Sequence, residues 1–438
     1  MKVMIYETTL ATPHTETSIE LAILHSLAGD KVVYFPAYRF LTGDPFASNI
    51  NGDPMLPRAI SDWDNFITSS ISKFSDVWTP DFVYEESPDR FCSEAQLNEF
   101  ILRACNTLFP GLKLTDRIVG ETITLFDLVS SATRLSFKLA LVSILQVRPD
   151  RIYCFNGRTP ATWPMYKTAS YLGVECLYHE RGSSFDKYAI YRYPVAYNSA
   201  SRDLYERHRV GKDIPSAKLD SVYFYNIQKK GLLQNFGFTE RVFSDDFPAF
   251  LGEQEPFVLF LCSSDSEIET VPDQDCYFDS LPSQIACINL VRNVCIRLGL
   301  KFIVRMHPVN LDKKHPMLSL HDGENCFVIP PESQISSYFL GSRALAIFSV
   351  GTTVGFELMF RGFDCALMAK SIVFNEPEAK TVNSAEQVEA YILSKPCAFV
   401  VPEFIYLLGD FYLNYGNKYR LFRPTGHFSG SFDFSPVT

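Results

Sequence analysis

Five short stretches of this chain place reactive side chains directly after apolar runs, where a strand would end. Ser263-Ser264-Asp265-Ser266-Glu267 follows Phe257 to Leu261, and Arg305-Met306-His307-Pro308 follows Lys301 to Val304. Ser349-Val350-Gly351-Thr352-Thr353-Val354-Gly355-Phe356-Glu357 follows Ala344 to Phe348, while Phe155-Asn156-Gly157-Arg158 and His179-Glu180-Arg181-Gly182 close two earlier runs. Carboxylates and hydroxyls gathered as at Ser263, Ser264 and Asp265 suit nucleophilic or acid/base work, or an ordinary N-cap. The Ser349 to Thr353 turn opens a helix, so its free amides and hydroxyls are either an anion site or a plain cap; Glu357, one turn on, is placed to accept from ribose hydroxyls. Proline after His307 holds the backbone extended, so the imidazole can donate to a phosphate beside the charge of Arg305, or serve as a structural hydrogen-bonding group. Asn156, Arg158, Glu180 and Arg181 put guanidinium groups next to donors and acceptors, with a local Glu180–Arg181 ion pair as the bland alternative.

Absent motifs narrow the chemistry. There is no GxxxxGK[ST] for a lysine-cradled phosphate, no GxGxxG after the first strand and no GxSxG elbow. Two D-x-D triplets, Asp62-Trp63-Asp64 and Asp273-Gln274-Asp275, are no more than composition produces by chance, and neither a metal nor a cofactor is expected. The formal net charge of −10 and the lack of long like-charge blocks exclude a nucleic-acid duplex as main partner, and leave a local basic pocket open. Eleven cysteines stand singly, mostly in apolar runs and without a CxxC pair, as small buried hydrophobes do in a reducing compartment. The start, MKVMIYETTLATPHTETS, reaches polar sequence too soon for a secretory signal. Leu125 to Val147 carries Asp127, Arg134 and Lys138, which fits an amphipathic or packed helix better than a membrane span. The expectation is a cytoplasmic protein.

The elements that must position these groups alternate. Short β-branched and aromatic runs (Val3 to Tyr6, Lys31 to Phe35, Arg151 to Phe155, Glu175 to Tyr178) are separated by helix-length segments such as Thr17 to Leu27 and Thr162 to Leu172. The second half repeats the rhythm through Phe257 to Leu261, a helix over Ser283 to Leu298, Lys301 to Arg305, Cys326 to Ile329 and Ala344 to Phe348. Such alternation predicts α/β units around parallel sheets, with ligands outside the carboxyl ends of the strands. With 438 residues, two or three domains are expected. They are an N-terminal Rossmann-like acceptor-side domain over 1–240, a second, donor-side one over 255–395 and a tail over 396–438 packing back across the domains, irregular after Tyr412. The linker is placed at Gly237 to Gln254, rich in Phe, Asp and Ser.

Taken in order, FNGR, HERG, the strand-end HP and the Ser-x-Gly-Thr-Thr-x-Gly-x-Glu helix start resemble bacterial capsule and lipopolysaccharide glycosyltransferases of the GT-B architecture, nearest the retaining β-Kdo transferases. The likeness spans Ile152 to about Leu367. It implies two Rossmann-like domains facing a central cleft and a CMP-Kdo donor held mainly by the C-terminal half. His307 and the Ser349, Gly351, Thr352 and Thr353 turn would meet the cytidylate phosphate, with Glu357 near the nucleotide. Asp265 matches the nucleophile that forms a covalent adduct, with Glu267 as a rival, and Glu180 matches the acid/base carboxylate. Asn156, Arg158, Arg181, Ser263 and Ser264 would bind substrate, and Arg305 and Arg181 could receive the donor's carboxylate. The implied acceptor is a saccharide, lipid-linked at the inner face of the cytoplasmic membrane, with peripheral contact there or with other polysaccharide-assembly enzymes. Two other readings stay open: another nucleotide sugar (UDP-, GDP- or another CMP-sugar) used by direct displacement, and a non-catalytic scaffold that binds a sugar or lipid carrier.

Overall fold

A computed structural model describes residues 1–41, 60–80, 88–108, 117–119, 123–195, 197–229, 255–264, 281–308, 310, 315–394, 400–426 and 429–435. The strands, in chain order, are β1 (Lys2–Glu7), β2 (Lys31–Pro36), β3 (Asp76–Val77), β4 (Arg117–Val119), β5 (Ile123–Thr124), β6 (Arg151–Phe155), β7 (Glu175–Arg181) and β8 (Lys187–Tyr191). They continue as β9 (Phe257–Leu261), β10 (Lys301–Arg305), β11 (Cys326–Ile329), β12 (Ala346–Ser349), β13 (Ala366–Leu367), β14 (Asn417–Lys418), β15 (Phe422–Gly426) and β16 (Ser429–Phe432). Two sheets form, as the alternation predicts. The first runs β14-β8-β7-β6-β1-β2-β3, parallel from β7 to β3, and the second runs β11-β10-β9-β12-β13, parallel throughout.

Both sheets are wound the same way. Counting only the parallel strands of each sheet in chain order, both read 3-2-1-4-5, so winding reverses between β1 and β6 in one and between β9 and β12 in the other. In open sheets wound this way, the carboxyl edge at the reversal is where ligands generally bind. Continuous burial of Val3 to Glu7 and of Phe257 to Leu261 explains why these strands read as unbroken apolar runs rather than alternating ones.

The chain divides into two compact units. One comprises Met1–Asp203 with Tyr415–Thr438, and the other Leu204–Ile268 with Asp273–Asn414. The division therefore falls at Asp203, inside the helix Asn198–Arg209, and not near residue 240; the expected linker lies outside the described residues. The cause is packing. The helix Ile214–Lys229 lies against Glu403–Asn414, where Asp410 accepts from His208 (2.7 Å), Lys212 (3.1 Å) and Asn414 (2.8 Å). In the first unit the helix Leu125–Val147 is long and apolar enough to cross a membrane by length and composition, yet 61% of its apolar window is buried. It packs on Glu94–Leu108 and Trp163–Leu172, and Phe100, Phe137 and Trp163 share one aromatic core.

The tail is regular where an irregular one was expected. Tyr412 lies in the helix Glu403–Asn414, β14 pairs antiparallel with β8, and β15 and β16 form a hairpin. Its anchor is Glu20, fully buried, whose carboxylate accepts from the amides of Arg420 (2.7 Å), Leu421 (3.1 Å) and Phe422 (2.9 Å). Thr17 adds a 2.6 Å hydroxyl contact to Tyr419. Local sequence carries no trace of a partner some 400 residues away. Replacing Glu20 by Ala strands three amides and should cost roughly 3 kcal/mol. A lowered melting temperature and faster tryptic cleavage after Lys418 and Arg420 would show it; an unchanged melting curve would refute the anchor.

Candidate functional site

In the first unit the site residues gather at the β1/β6 reversal. After β6 the backbone takes two consecutive left-handed conformations, Asn156 (φ 59) and Gly157 (φ 77). Asn tolerates the first, while the second needs glycine twice over, since a Cβ there would lie 2.6 Å from the Tyr178 ring. This sharp turn brings the Asn156 side chain to Glu180 at the end of β7, where its Nδ2 donates to Oε2 at 2.6 Å. The Arg181 amide donates to Oε1 at 3.0 Å, and His14 Nε2 stands 3.6 Å from the same oxygen. Glu180 keeps 21% of its side chain exposed, so it is held and open at once.

Beneath it lies a buried titratable cluster. His14 rests on the Phe155 ring at 4.2 Å, and burial lowers its pKa to about 4, Glu180 raising and Arg181 lowering it further. His179, fully buried, meets Ser18 Oγ at 3.1 Å and is lowered to about 3 by burial, so both imidazoles are neutral at pH 7. Glu7, ending β1, accepts from the Thr9 amide (3.0 Å) and the Tyr34 hydroxyl (3.2 Å), and burial raises it to about 7. Arg181 reaches the Thr12 carbonyl at 3.4 Å. Arg158 is half-buried, with no hydrogen bond or ion pair among the described residues.

In the second unit the expected nucleophile, Asp265, and its rival Glu267 lie outside the described residues. Just upstream, Gln284 clamps the backbone of Ser263, accepting from its amide at 2.7 Å and donating to its carbonyl at 3.3 Å; Ser264 is buried. Arg305 is a brace. The residue is 3% exposed, and its guanidinium donates to the carbonyls of Pro330 (2.6 Å) and Ser333 (3.0 Å), which ties β10 to the loop after β11. His307 is half-buried two residues past β10, and its carbonyl accepts from Asn310 at 3.0 Å.

At β12 the cap reading holds in detail. Ser349 Oγ accepts from the amides of Gly351 and Thr352 at 3.0 Å each, and Thr352 Oγ1 accepts from Gly355 at 3.2 Å to start the helix Thr353–Phe360. Gly351 (φ 92) is pressed on Ser371, whose Cβ lies 2.5 Å from where a Cβ would sit. The amides of Thr353 and Val354 head the helix without an intrahelical acceptor. One turn in, Glu357 is 1% exposed and neither carboxyl oxygen has a hydrogen-bond partner among the described residues. Burial raises its pKa to about 8, against the pull of Arg361.

No family model matches the chain, and no curated protein matches it. Solved structures do. Two of them are β-Kdo transferases. The KpsC β-Kdo 2,4 transferase of Thermosulfurimonas dismutans is 12% identical, over 60% of this chain and 79% of that one, with a TM-score of 0.38. The KpsC β-Kdo 2,7 transferase of the same organism is 12% identical, over 71% and 86%, at 0.35. A UDP-GlcNAc 2-epimerase of Methanocaldococcus jannaschii, in complex with UDP-GlcNAc and UDP, is 12% identical over 94% and 98%, at 0.32. At these scores they assign no residue, and the site stands on its own geometry.

The strand-end rule finds Asn156, Glu180 and Ser349, and applied to β1 it would have found Glu7 as well. His14, His179 as a buried base, and Gln284 went unselected. Of these, His14 and Gln284 carry no local signal, for each is defined by a contact across the fold.

Glu7 and Glu357 bind their protons more tightly folded than unfolded. Their stabilising share is full below the ordinary value of 4.5 and is lost as pH rises through about 7 and about 8 respectively. Glu357→Gln keeps the shape without the titration. Its melting temperature should match the parent's near about pH 5 and exceed it by a margin that grows to a plateau above about pH 8. A margin that does not change with pH would refute the buried acid.

Proposed function

We propose that the chain is a glycosyltransferase of surface-polysaccharide synthesis, capsule or lipopolysaccharide, that moves Kdo from CMP-Kdo to a saccharide acceptor with retention of configuration. The observation that carries the reading is Glu180, a carboxylate oriented through both oxygens at the winding reversal of a Rossmann-like sheet, with an open face toward solvent. An acid/base group needs that combination, fixed geometry with access. Glu357 supports a nucleotide in the other unit, because a buried carboxyl with no hydrogen-bond partner among the described residues is costly unless a ligand's hydroxyls supply one.

The roles follow. In the first displacement the Asp265 carboxylate attacks the anomeric carbon and the bond to the phosphate oxygen breaks, so CMP leaves with the electron pair. His307 and the Thr353 and Val354 amides would meet the charge on that phosphate. In the second, the acceptor hydroxyl attacks the same carbon, Glu180 takes its proton, and the Asp265 carboxylate departs. Arg158, with no hydrogen bond or ion pair among the described residues, and Arg181 would bind the acid groups of donor or acceptor. The acceptor is read as a lipid-linked saccharide at the inner face of the cytoplasmic membrane, the enzyme meeting that surface peripherally.

Intact-mass measurement of the chain with CMP-Kdo and no acceptor tests this directly. The parent should gain one Kdo residue, Asp265→Ala none, and Glu180→Gln should accumulate the adduct while transfer falls by about 100-fold or more. No adduct, with CMP still released once acceptor is present, moves the chemistry to direct displacement with Glu180 as base. Thermal protection by UDP or GDP but not CMP would replace the donor. No turnover with any nucleotide sugar would leave the binding scaffold.

A further inference from the structure

His14 opens the first helix, and its Nε2 lies 3.6 Å from Glu180 Oε1, too long for a hydrogen bond and close enough to become one with a small closure. Its Nδ1 is buried with no partner among the described residues, and so is Asn156 Oδ1 on the other side of the same carboxylate. Each unpaired buried polar atom costs about 1–3 kcal/mol. A site that needed only filling over the Phe155 ring would hold an apolar residue at 14. Catalytic hydrogen bonds are often long before substrate arrives and shorten in the working complex.

We propose that His14 is a positioning residue for proton transfer: as a neutral donor it fixes Oε1 of Glu180 while Asn156 fixes Oε2, so that the carboxylate meets the attacking hydroxyl in one orientation. The inference rests on Glu180 acting as the acid/base group proposed above. Burial keeps the imidazole uncharged well below neutral pH, so it orients the carboxylate without quenching it. The charged and titratable groups facing the pair are Arg181 on β7, Tyr415 from the tail, whose hydroxyl burial and Glu180 push up, and His179 behind His14. Asn156 after β6 completes the ring of neighbours.

The test is CMP release by the full chain from CMP-Kdo with water as the acceptor, in which a rapid burst reports adduct formation and the slow phase its Glu180-assisted breakdown. His14→Ala should leave the burst amplitude intact and slow the second phase by about 10- to 100-fold. His14→Gln, which keeps a neutral donor, should recover most of that loss with the acid limb of the pH–rate profile unmoved. A slow phase unaffected by His14→Ala, or a burst and slow phase that fall together, overturns the inference and leaves the proposed function standing. Loss of the acid limb in His14→Gln overturns it too, because His14 would then be the base. A parent that releases no CMP overturns the function, and the inference with it.

Discussion

The reversal of winding between the first and fourth parallel strands governs everything else here. Parallel strands deliver their carboxyl ends to one edge, and the helices that leave β1 and β6 depart on opposite faces, so the edge between them stays uncovered. Glu7 and, beyond it, His14 come from one side, while Asn156, Gly157 and Arg158 come from the other. Glu180 arrives from the next strand out. The second sheet repeats the arrangement with Ser263 and Ser264 after β9 and Ser349 to Thr352 after β12. Strands buried on both faces hold the edge rigid, and loops of a few residues then suffice to aim the chemistry.

Buried polar groups among the described residues differ in how fully their hydrogen bonds are met. Glu20 takes three amides, Arg305 gives to two carbonyls and Asp410 gathers three donors, and each is buried. Buried charges so enclosed tie distant segments together and have little left for a ligand. Glu357, His14 and Asn156 are buried with atoms left over. A fold tolerates that deficit where a ligand or a moving neighbour removes it.

Much of the scaffold was legible before the structure. Unbroken apolar runs at Phe257 to Leu261 and Phe302 to Val304, with a helix-length spacer between them, point to parallel strands with a crossover. The candidate residues were legible to the extent that chemistry follows position, since a strand end is a local property. Pairing across the fold is not. Nothing in TPHTETS says that His14 will face Glu180, and nothing in FRPTG says that Glu20 will collect its amides. Side-chain direction was hidden for the same reason: Arg305 is a strand-end cation on paper and turns toward Pro330 only because β11 is its neighbour.

The Ser349 turn shows why a structural and a functional reading of one motif need not compete. A helix start leaves several amides without acceptors, and a turn that satisfied none of them would be loose. Here Ser349 and Thr352 satisfy Gly351, Thr352 and Gly355 from within, Gly351 packs close to Ser371, and the neighbouring amides of Thr353 and Val354 have no intrahelical acceptor. An anion that meets such a turn has no loop to order, and the positive end of the helix is already aimed. Capping and anion binding are therefore compatible in one turn: hydroxyls that satisfy their own backbone also remove the loop entropy that any ligand there would otherwise have to overcome.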